Sequence, residues 1–117
     1  MVETISKETS KKLDKHLCKF EECRKELGEM GFILTGSVVK RFMRCGKESC
    51  RCMSDSTFKH GPYYEWTRKV KGKTVSVRLT EEEANILAEW IKNKKRFYEV
   101  VSEMERITLD ALKEIRS

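Results

Sequence analysis

Residues 63–79 read YYEWTRKVKGKTVSVRL, and this stretch decides the fold. Two runs that are rich in aromatic and β-branched residues flank the dipeptide Lys71-Gly72. Glycine at the second turn position permits the positive φ that a two-residue hairpin loop requires. The stretch therefore predicts a β-hairpin whose register is set by this turn.

The predicted register gives the hairpin one apolar face and one polar face. The inward face carries the pairs Val70/Lys73, Arg68/Val75, Trp66/Val77 and Tyr64/Leu79. The polar face carries Tyr63, Glu65, Thr67, Lys69, Thr74, Ser76 and Arg78. On that face Glu65 lies opposite Arg78, which predicts a cross-strand charge pair.

The run TGSVVKRFMR, residues 35–44, predicts a third strand because its side chains alternate. Both of its sides mix apolar and basic residues. The sequence therefore does not decide which side of this strand faces the core.

Helices are predicted on both sides of the sheet region. From residue 6 to residue 30 an apolar stripe recurs in steps of three and four, and it consists of Leu13, Leu17, Phe20, Cys23, Leu27 and Met30. Ser6 is expected to cap this helix, and Gly28 or Gly31 to end it in the left-handed conformation. His16 shows no partner and is expected to be solvated.

From residue 80 onward the pattern again predicts helix. Thr80 and Glu83 have the spacing of a capping box. The run KNKKR at 92–96 interrupts the apolar stripe without any Gly or Pro. We expect either one long helix or two helices hinged near Asn93.

Together these elements predict a single α+β domain, residues 1–117. It comprises an N-terminal helix (6–30), a small three-stranded antiparallel sheet with a zinc-bound loop (36–79) and a C-terminal helical segment (80–116). Charged residues make up 38% of the chain, against the usual quarter, so the core is expected to be thin. No apolar run approaches a membrane span and no signal-like segment stands out, so a cytoplasmic protein is expected.

Three cysteines and a histidine lie close together in the loop between the first two strands. Cys45, Cys50, Cys52 and His60 have the spacing C-x4-C-x-C-x7-H, and thiolate and imidazole are the ligands that tetrahedral zinc favours. Four protein ligands leave no open position, which indicates structural rather than catalytic Zn2+. A cysteine-rich loop without metal and a redox role are the alternatives.

The same region resembles a known family. The runs GFILTGSVVKRFMRCGKESCRC, HGPYYEWTRKVKGKTVSVRL and WIKNKKR are similar to a small uncharacterised prokaryotic family, catalogued as a domain of unknown function. The resemblance covers about residues 28–100. Members of that family are short proteins that are often encoded near transposases, which implies a link to mobile elements. No activity follows from the resemblance.

Basic charge is concentrated in the middle of the chain. Residues 38–80 contain 11 basic and 3 acidic residues, a net charge of +8, while the two flanks are close to neutral. A two-stranded ribbon fits the major groove of DNA, so the sequence predicts a nucleic-acid-binding module, with DNA favoured. The candidate contacts are Arg41, Arg44, Lys47, Arg51, Lys69, Lys71, Lys73 and Arg78.

Two other interpretations remain open. The basic sheet could be a solvated surface, with the amphipathic helices serving protein interactions, including a homodimer through these helices. An enzyme is not expected, because no carboxylate pair, nucleophile–base set or phosphate-cradling glycine loop stands out.

Overall fold

The computed structural model describes residues 5–44, 46–54 and 59–117, apart from the side chain of Cys52. The elements within these ranges are α1 (Lys7–Glu29), β1 (Ser37–Met43), α2 (Arg51–Ser54), β2 (His60–Val70), β3 (Lys73–Leu79) and α3 (Glu81–Arg116). The predicted α+β order is confirmed. The short helix α2 has no counterpart in the prediction.

The chain divides into two compact units. The helical unit consists of residues 1–32 and 95–117, and the sheet unit consists of residues 33–94. α3 contributes its first fourteen residues to the sheet unit and the rest to the helical unit. That residues 1–117 fold as a single domain stays a prediction.

The three strands form one antiparallel sheet in the order β1-β2-β3. The register of β2 against β3 is the predicted one throughout, from Val70 opposite Lys73 to Tyr64 opposite Leu79. Lys71 and Gly72 both have positive φ, 50° and 80°. Two successive positive φ values define the tight hairpin turn whose twist matches that of the flanking strands.

The register of β1 against β2 settles which way the first strand faces. Val38 lies opposite Trp66 and Lys40 lies opposite Tyr64, so both belong to the face that carries Trp66. The register shifts between Arg41 and Met43, where a bulge interrupts the ladder.

The segment 33–35 links the sheet to α3 within the sheet unit. The indole Nε1 of Trp66 donates a hydrogen bond to the carbonyl of Thr35 at 2.9 Å. The backbone N–H of Leu34 donates to the carbonyl of Trp90 on α3 at 3.1 Å. This segment therefore connects the Trp66 face of the sheet to the helix.

The core of the sheet unit is shallow. Among the described residues of this unit Ala84 is the buried hydrophobic residue, 3% exposed, whereas Val77 on the Trp66 face remains 44% exposed. The predicted inward face is therefore only partly covered.

The helical unit holds α1 antiparallel to the second half of α3. His16 Nε2 lies 2.5 Å from Glu114 Oε2, and at the other end Arg96 bonds to Glu26. Val100 and Ile107, 2% and 6% exposed, form its buried centre.

Two expectations for the first helix are wrong. The side chain of His16 is only 13% exposed and bonds to Glu114, so it is not a solvated histidine. Neither Gly28 nor Gly31 has positive φ, and the helix ends at Met30, whose extended backbone donates to the carbonyl of Leu27. The cap at Ser6 is confirmed, since its hydroxyl accepts from the backbone N–H of Thr9.

The C-terminal segment is one continuous helix of 36 residues. Thr80 and Glu83 form the predicted capping box, with reciprocal hydrogen bonds of 3.1 and 2.8 Å. The predicted alternative of a hinge near Asn93 is wrong. Within the described ranges, none of the helices has the length and apolar character that crossing a bilayer would need.

Candidate metal and nucleic-acid site

Two of the four predicted zinc ligands lie side by side. Cys50 precedes α2, and His60 is the first residue of β2. Cys50 Sγ and His60 Nε2 are 3.2 Å apart. Two ligands of one tetrahedral zinc would be separated by roughly 3.5 Å, from Zn–S and Zn–N bonds of about 2.3 and 2.0 Å. The observed pair is close to that spacing, so both residues fit a zinc site.

The other two predicted ligands cannot be placed beside this pair. Cys45 and the side chain of Cys52 lie outside the described residues. Within the described ranges, no group of three or more His, Cys, Asp or Glu side chains is assembled that could hold a metal ion. The assignment of Cys45, Cys50, Cys52 and His60 as a zinc cage stays a prediction.

A backbone turn leads into α2 and positions Cys50. The N–H of Cys50 donates to the carbonyl of Lys47 at 2.9 Å, and the N–H of Met53 donates to the carbonyl of Cys50 at 3.1 Å. Cys50 therefore ends one hydrogen-bonded turn, from Lys47, and begins the next, which leads to Met53. The thiol of Cys50 lies next to His60, the first residue of β2.

The eight predicted nucleic-acid contacts are exposed but do not form one patch. They fall into three groups along the sheet. Arg41, Lys69 and Arg78 lie on the polar face, Lys71 and Lys73 at the hairpin end, and Arg44, Lys47 and Arg51 at the cysteine-loop end. β2 has 11 residues, so these groups are spread over about 35 Å of sheet.

The ion pairing on the polar face differs from the prediction. Glu65 lies opposite Arg78 as expected, but its carboxylate pairs with Arg41 on β1 at 3.5 Å. The guanidinium of Arg78 instead lies over the ring of Tyr63, 4.4 Å from its centroid. In the described part of the chain the predicted Glu65–Arg78 charge pair is therefore replaced by two different contacts. Arg78 stays exposed beside an aromatic ring.

The net charge of the protein belongs to one unit. The sheet unit contains 13 basic and 7 acidic residues, a net charge of +6, while the helical unit contains 12 of each. The whole formal charge of +6 is thus carried by residues 33–94. A surface with this net charge attracts polyanions by its electrostatic field. The helical unit has no net charge and contributes no such attraction.

One functional candidate, Arg68, was not singled out from the sequence. It lies on the Trp66 face opposite Val75, and its Nη1 atom is buried with no hydrogen-bond partner among the described residues. The predicted register already placed this arginine on the inward face. A charged residue among apolar partners was the observation that could have identified it.

The family model described as Domain of unknown function (DUF6788) matches residues 8–92, and the chain therefore belongs to this family. The match includes α1, the whole sheet and the first part of α3. It confirms the resemblance to an uncharacterised domain family, but it begins nearer the N-terminus, at residue 8, and ends at residue 92, before most of the run WIKNKKR. No curated protein and no solved structure matches the chain.

Proposed function

We propose that this protein is a zinc-stabilised nucleic-acid-binding module that uses its basic sheet to bind DNA. The observation that carries the proposal is the location of the entire net charge of +6 on residues 33–94, where the eight candidate contacts are exposed. Lysine and arginine side chains neutralise phosphates and provide affinity without sequence preference.

The arrangement of polar residues supports a ribbon that lies across a groove. The centre of the polar face carries the hydroxyls of Thr67 and Ser76, which are paired across β2 and β3. Basic groups lie toward both ends of the sheet, about 35 Å apart, which exceeds the roughly 12 Å width of the major groove. The hydroxyls would then face base edges, while the basic groups reach phosphates on either side.

The metal would serve to hold the cysteine loop. Cys50 and His60 would be two of its ligands, and Cys45 and Cys52 are the residues predicted to complete the set. When bound, Zn2+ supplies a closed tetrahedral crosslink that adds stability to a unit with a shallow core. The position of Arg44, Lys47 and Arg51 would then depend on the crosslink. A link to a mobile element belongs to this proposal.

Salt-dependent binding tests the proposed function. Fluorescence anisotropy with a labelled DNA duplex is measured over a range of salt concentrations. Contact with about five phosphates predicts a slope of log K against log[salt] of about −4 to −5. Binding that is undetectable even at low salt would overturn the proposal.

A matched pair of charge variants tests whether the cations of the sheet, rather than basic residues anywhere on the protein, bind the DNA. The variant Arg41→Gln/Lys69→Gln/Arg78→Gln removes three cations from the polar face. The control Lys11→Gln/Lys12→Gln/Lys19→Gln removes three exposed cations from α1. We expect the first variant to reduce the salt slope by up to about 3 and the control to leave it unchanged. Equal losses would contradict the assignment to the sheet.

Metal analysis tests the zinc part independently. We expect about one zinc per chain in the purified protein and in Cys18→Ser, an exposed cysteine on α1. Cys50→Ser is expected to lose the metal and to lower the thermal midpoint of unfolding. Protein that is free of zinc and is equally stable in the presence of a chelator would exclude the site.

A second candidate function is self-association through the helices. The second half of α3 exposes five large apolar residues, Tyr98, Val101, Leu109, Leu112 and Ile115, with 39–59% of their surface accessible. At 100° per residue the first four of these form a stripe centred about 150° around the helix from Val100 and Ile107, on nearly the opposite side. The helical unit has equal numbers of acidic and basic residues, so a second copy can approach it without net repulsion. A homodimer would also pair two basic sheet units.

Light scattering at micromolar concentration tests this candidate. A homodimer predicts twice the chain mass for the native protein and the monomer mass for Leu109→Lys, since a buried unpaired charge opposes association. The exposed residue Asp110, which lies outside this stripe on the same helix, provides the control variant Asp110→Lys. A native protein that is strictly monomeric excludes the homodimer and leaves the nucleic-acid proposal untouched.

A further inference from the structure

The sheet unit contains a cation whose environment is unlike that of the other basic residues. Arg68 is half-buried, and its Nη1 atom has almost no contact with solvent and no hydrogen-bond acceptor among the described residues. A buried N–H donor without an acceptor is energetically unfavourable, and native proteins seldom retain one without a reason. An acceptor supplied by a ligand would remove this penalty.

Neighbouring groups fix the guanidinium in place. Arg68 Cζ lies 3.9 Å from the centroid of the Trp66 ring, in cation–π contact. The indole is itself anchored by its hydrogen bond to the carbonyl of Thr35. A ligand would therefore meet an arginine that is already oriented, and little side-chain freedom would be lost on binding.

A second cation reaches the same place from α3. Lys94 Nζ donates to the hydroxyl of Thr35, the residue whose carbonyl holds Trp66. A cleft of about 410 Å³ lies here, lined by Ile33, Leu34, Thr35, Trp66, Arg68 and Lys94. Among these described residues the two charged ones are both cations. Ile33, Leu34 and the ring of Trp66 give the cleft apolar walls beside these two cations.

We propose that this cleft binds a phosphate monoester. Arginine matches the oxygens of phosphate with its planar fork of donors, and lysine adds a point charge. A monoester carries about −1.5 to −2 charges near pH 7, which matches the two cations, whereas a diester carries about one. The cleft is larger than a phosphate group and leaves room for a sugar or a base attached to it.

This inference does not rest on the proposed binding of a DNA backbone. Arg68 lies on the Trp66 face of the sheet, whereas Arg41, Lys69 and Arg78 lie on the polar face. Within a nucleic acid the internal nucleotides present phosphodiesters, and a monoester is found only at a phosphorylated end. The two sites therefore select different forms of phosphate.

Matched nucleotides provide the test. The indole N–H resonances of Trp66 and Trp90 are followed by NMR while the full chain is titrated with 5′-AMP or with cyclic 3′,5′-AMP at constant ionic strength. These ligands share a base and a sugar but differ as monoester and diester. We expect a saturable shift of the Trp66 signal with 5′-AMP, at a Kd at least tenfold below that for the cyclic ligand. No saturable shift, or equal affinities, would overturn the proposal.

Variants then assign the site and its source of phosphate. Arg68→Gln and Lys94→Gln should each weaken 5′-AMP binding at least tenfold, whereas Lys92→Gln, an exposed lysine on the same helix, should not. Arg68→Lys replaces Arg68→Gln if the latter does not fold. Unchanged affinity in both site variants contradicts the assignment. Oligonucleotides of one sequence with a 5′-phosphate or a 5′-hydroxyl distinguish nucleic-acid ends from free nucleotides as the ligand. A site for nucleic-acid ends favours the 5′-phosphorylated form over the 5′-hydroxyl form, whereas a site for free nucleotides binds 5′-AMP and does not distinguish the two oligonucleotides.

Discussion

Gly36 occupies a position in the sheet unit where a side chain would be strained. Its φ is +121°, a region that residues with a side chain rarely adopt. A Cβ atom here would lie 2.5 Å from the carbonyl oxygen of Thr67 and 2.6 Å from Nε1 of Trp66. The glycine thus lets the backbone pass directly against the indole whose hydrogen bond organises the segment 33–35.

We expect Gly36→Ala to destabilise the protein by at least about 1–3 kcal/mol from backbone strain alone, with the steric contact adding to this loss. Urea denaturation measures the change through the midpoint concentration. Gly28→Ala is the matched control, because an added methyl at this position in α1 meets nothing within 4 Å. It should stabilise by up to about 1 kcal/mol. Similar losses at both positions would be inconsistent with this account.

At the residue scale the sequence revealed local partners better than distant ones. The caps formed by Ser6 with Thr9 and by Thr80 with Glu83 follow from spacings of three residues, and both are present. His16 bonds to Glu114, 98 positions away, and no local pattern encodes such a pairing. The pairing of Glu65 with Arg41 was missed for a related reason. The sequence did not decide which side of β1 faces the core, so Arg41 could not be assigned to the same face as Glu65.

At the scale of elements, the contact between α1 and α3 contains a group that responds to pH. His16 and then Lys15 donate hydrogen bonds to Glu114 and lower the pKa of that carboxyl below its usual 4.5. The folded state therefore favours the charged form. The stabilisation is present at neutral pH and is lost as the pH falls below about 4.5 and through the lowered pKa.

We expect Glu114→Gln to reduce the stability at neutral pH and to make the acid-induced loss between about pH 5 and pH 3 less steep. Urea midpoints at a series of pH values measure both effects. Glu105→Gln, an exposed glutamate on the same helix, should retain the native slope. A slope that is identical in native protein and Glu114→Gln would exclude this carboxyl as a contributor.

The sheet was predictable from its sequence because a two-residue turn determines the whole register of the hairpin. The continuity of α3 was not predictable, because the run at 92–96 breaks the apolar stripe and a hinge there was equally consistent with it. Lys94 and Arg96 in this run bond to Thr35 and Glu26. The polar residues that suggested a break are therefore used for specific contacts along an unbroken helix.

At the scale of the whole molecule the buried core is small and the exposed apolar surface is large. Ile107 is 6% exposed, whereas Leu109, two positions later on α3, is 52% exposed. Most of the hydrophobic stabilisation of the helical unit must therefore come from few residues. The stripe of Tyr98, Val101, Leu109 and Leu112 is the exposed surface that the proposed homodimer would cover.

We expect Ile107→Ala to cost about 2–5 kcal/mol and Leu109→Ala less than about 0.5 kcal/mol. Chemical denaturation followed by circular dichroism provides both values. A comparable loss for Leu109→Ala, increasing with protein concentration, would indicate that a second copy covers this side chain. Comparable losses independent of concentration would contradict the exposure seen at Leu109.

The convergence of the four predicted zinc ligands could not be derived from the sequence. A ligand set can be proposed from spacing alone, but whether four side chains converge depends on the path of the loop between β1 and β2. The approach of Cys50 to His60 within 3.2 Å supplies one of the six pairings that a four-ligand site requires. Measuring the zinc content of the protein tests whether all four ligands converge.

The hairpin turn points to a compromise between stability and function in the protein as a whole. Lys71 has a φ of 50°, which costs a residue with an ordinary side chain about 1–2 kcal/mol and which asparagine tolerates better. We expect Lys71→Asn to raise the urea midpoint of unfolding and to weaken DNA binding. Weaker binding without added stability would contradict the cost assigned to the backbone. If both effects occur, selection has kept a positive charge at the hairpin tip where a different residue would make a sturdier fold.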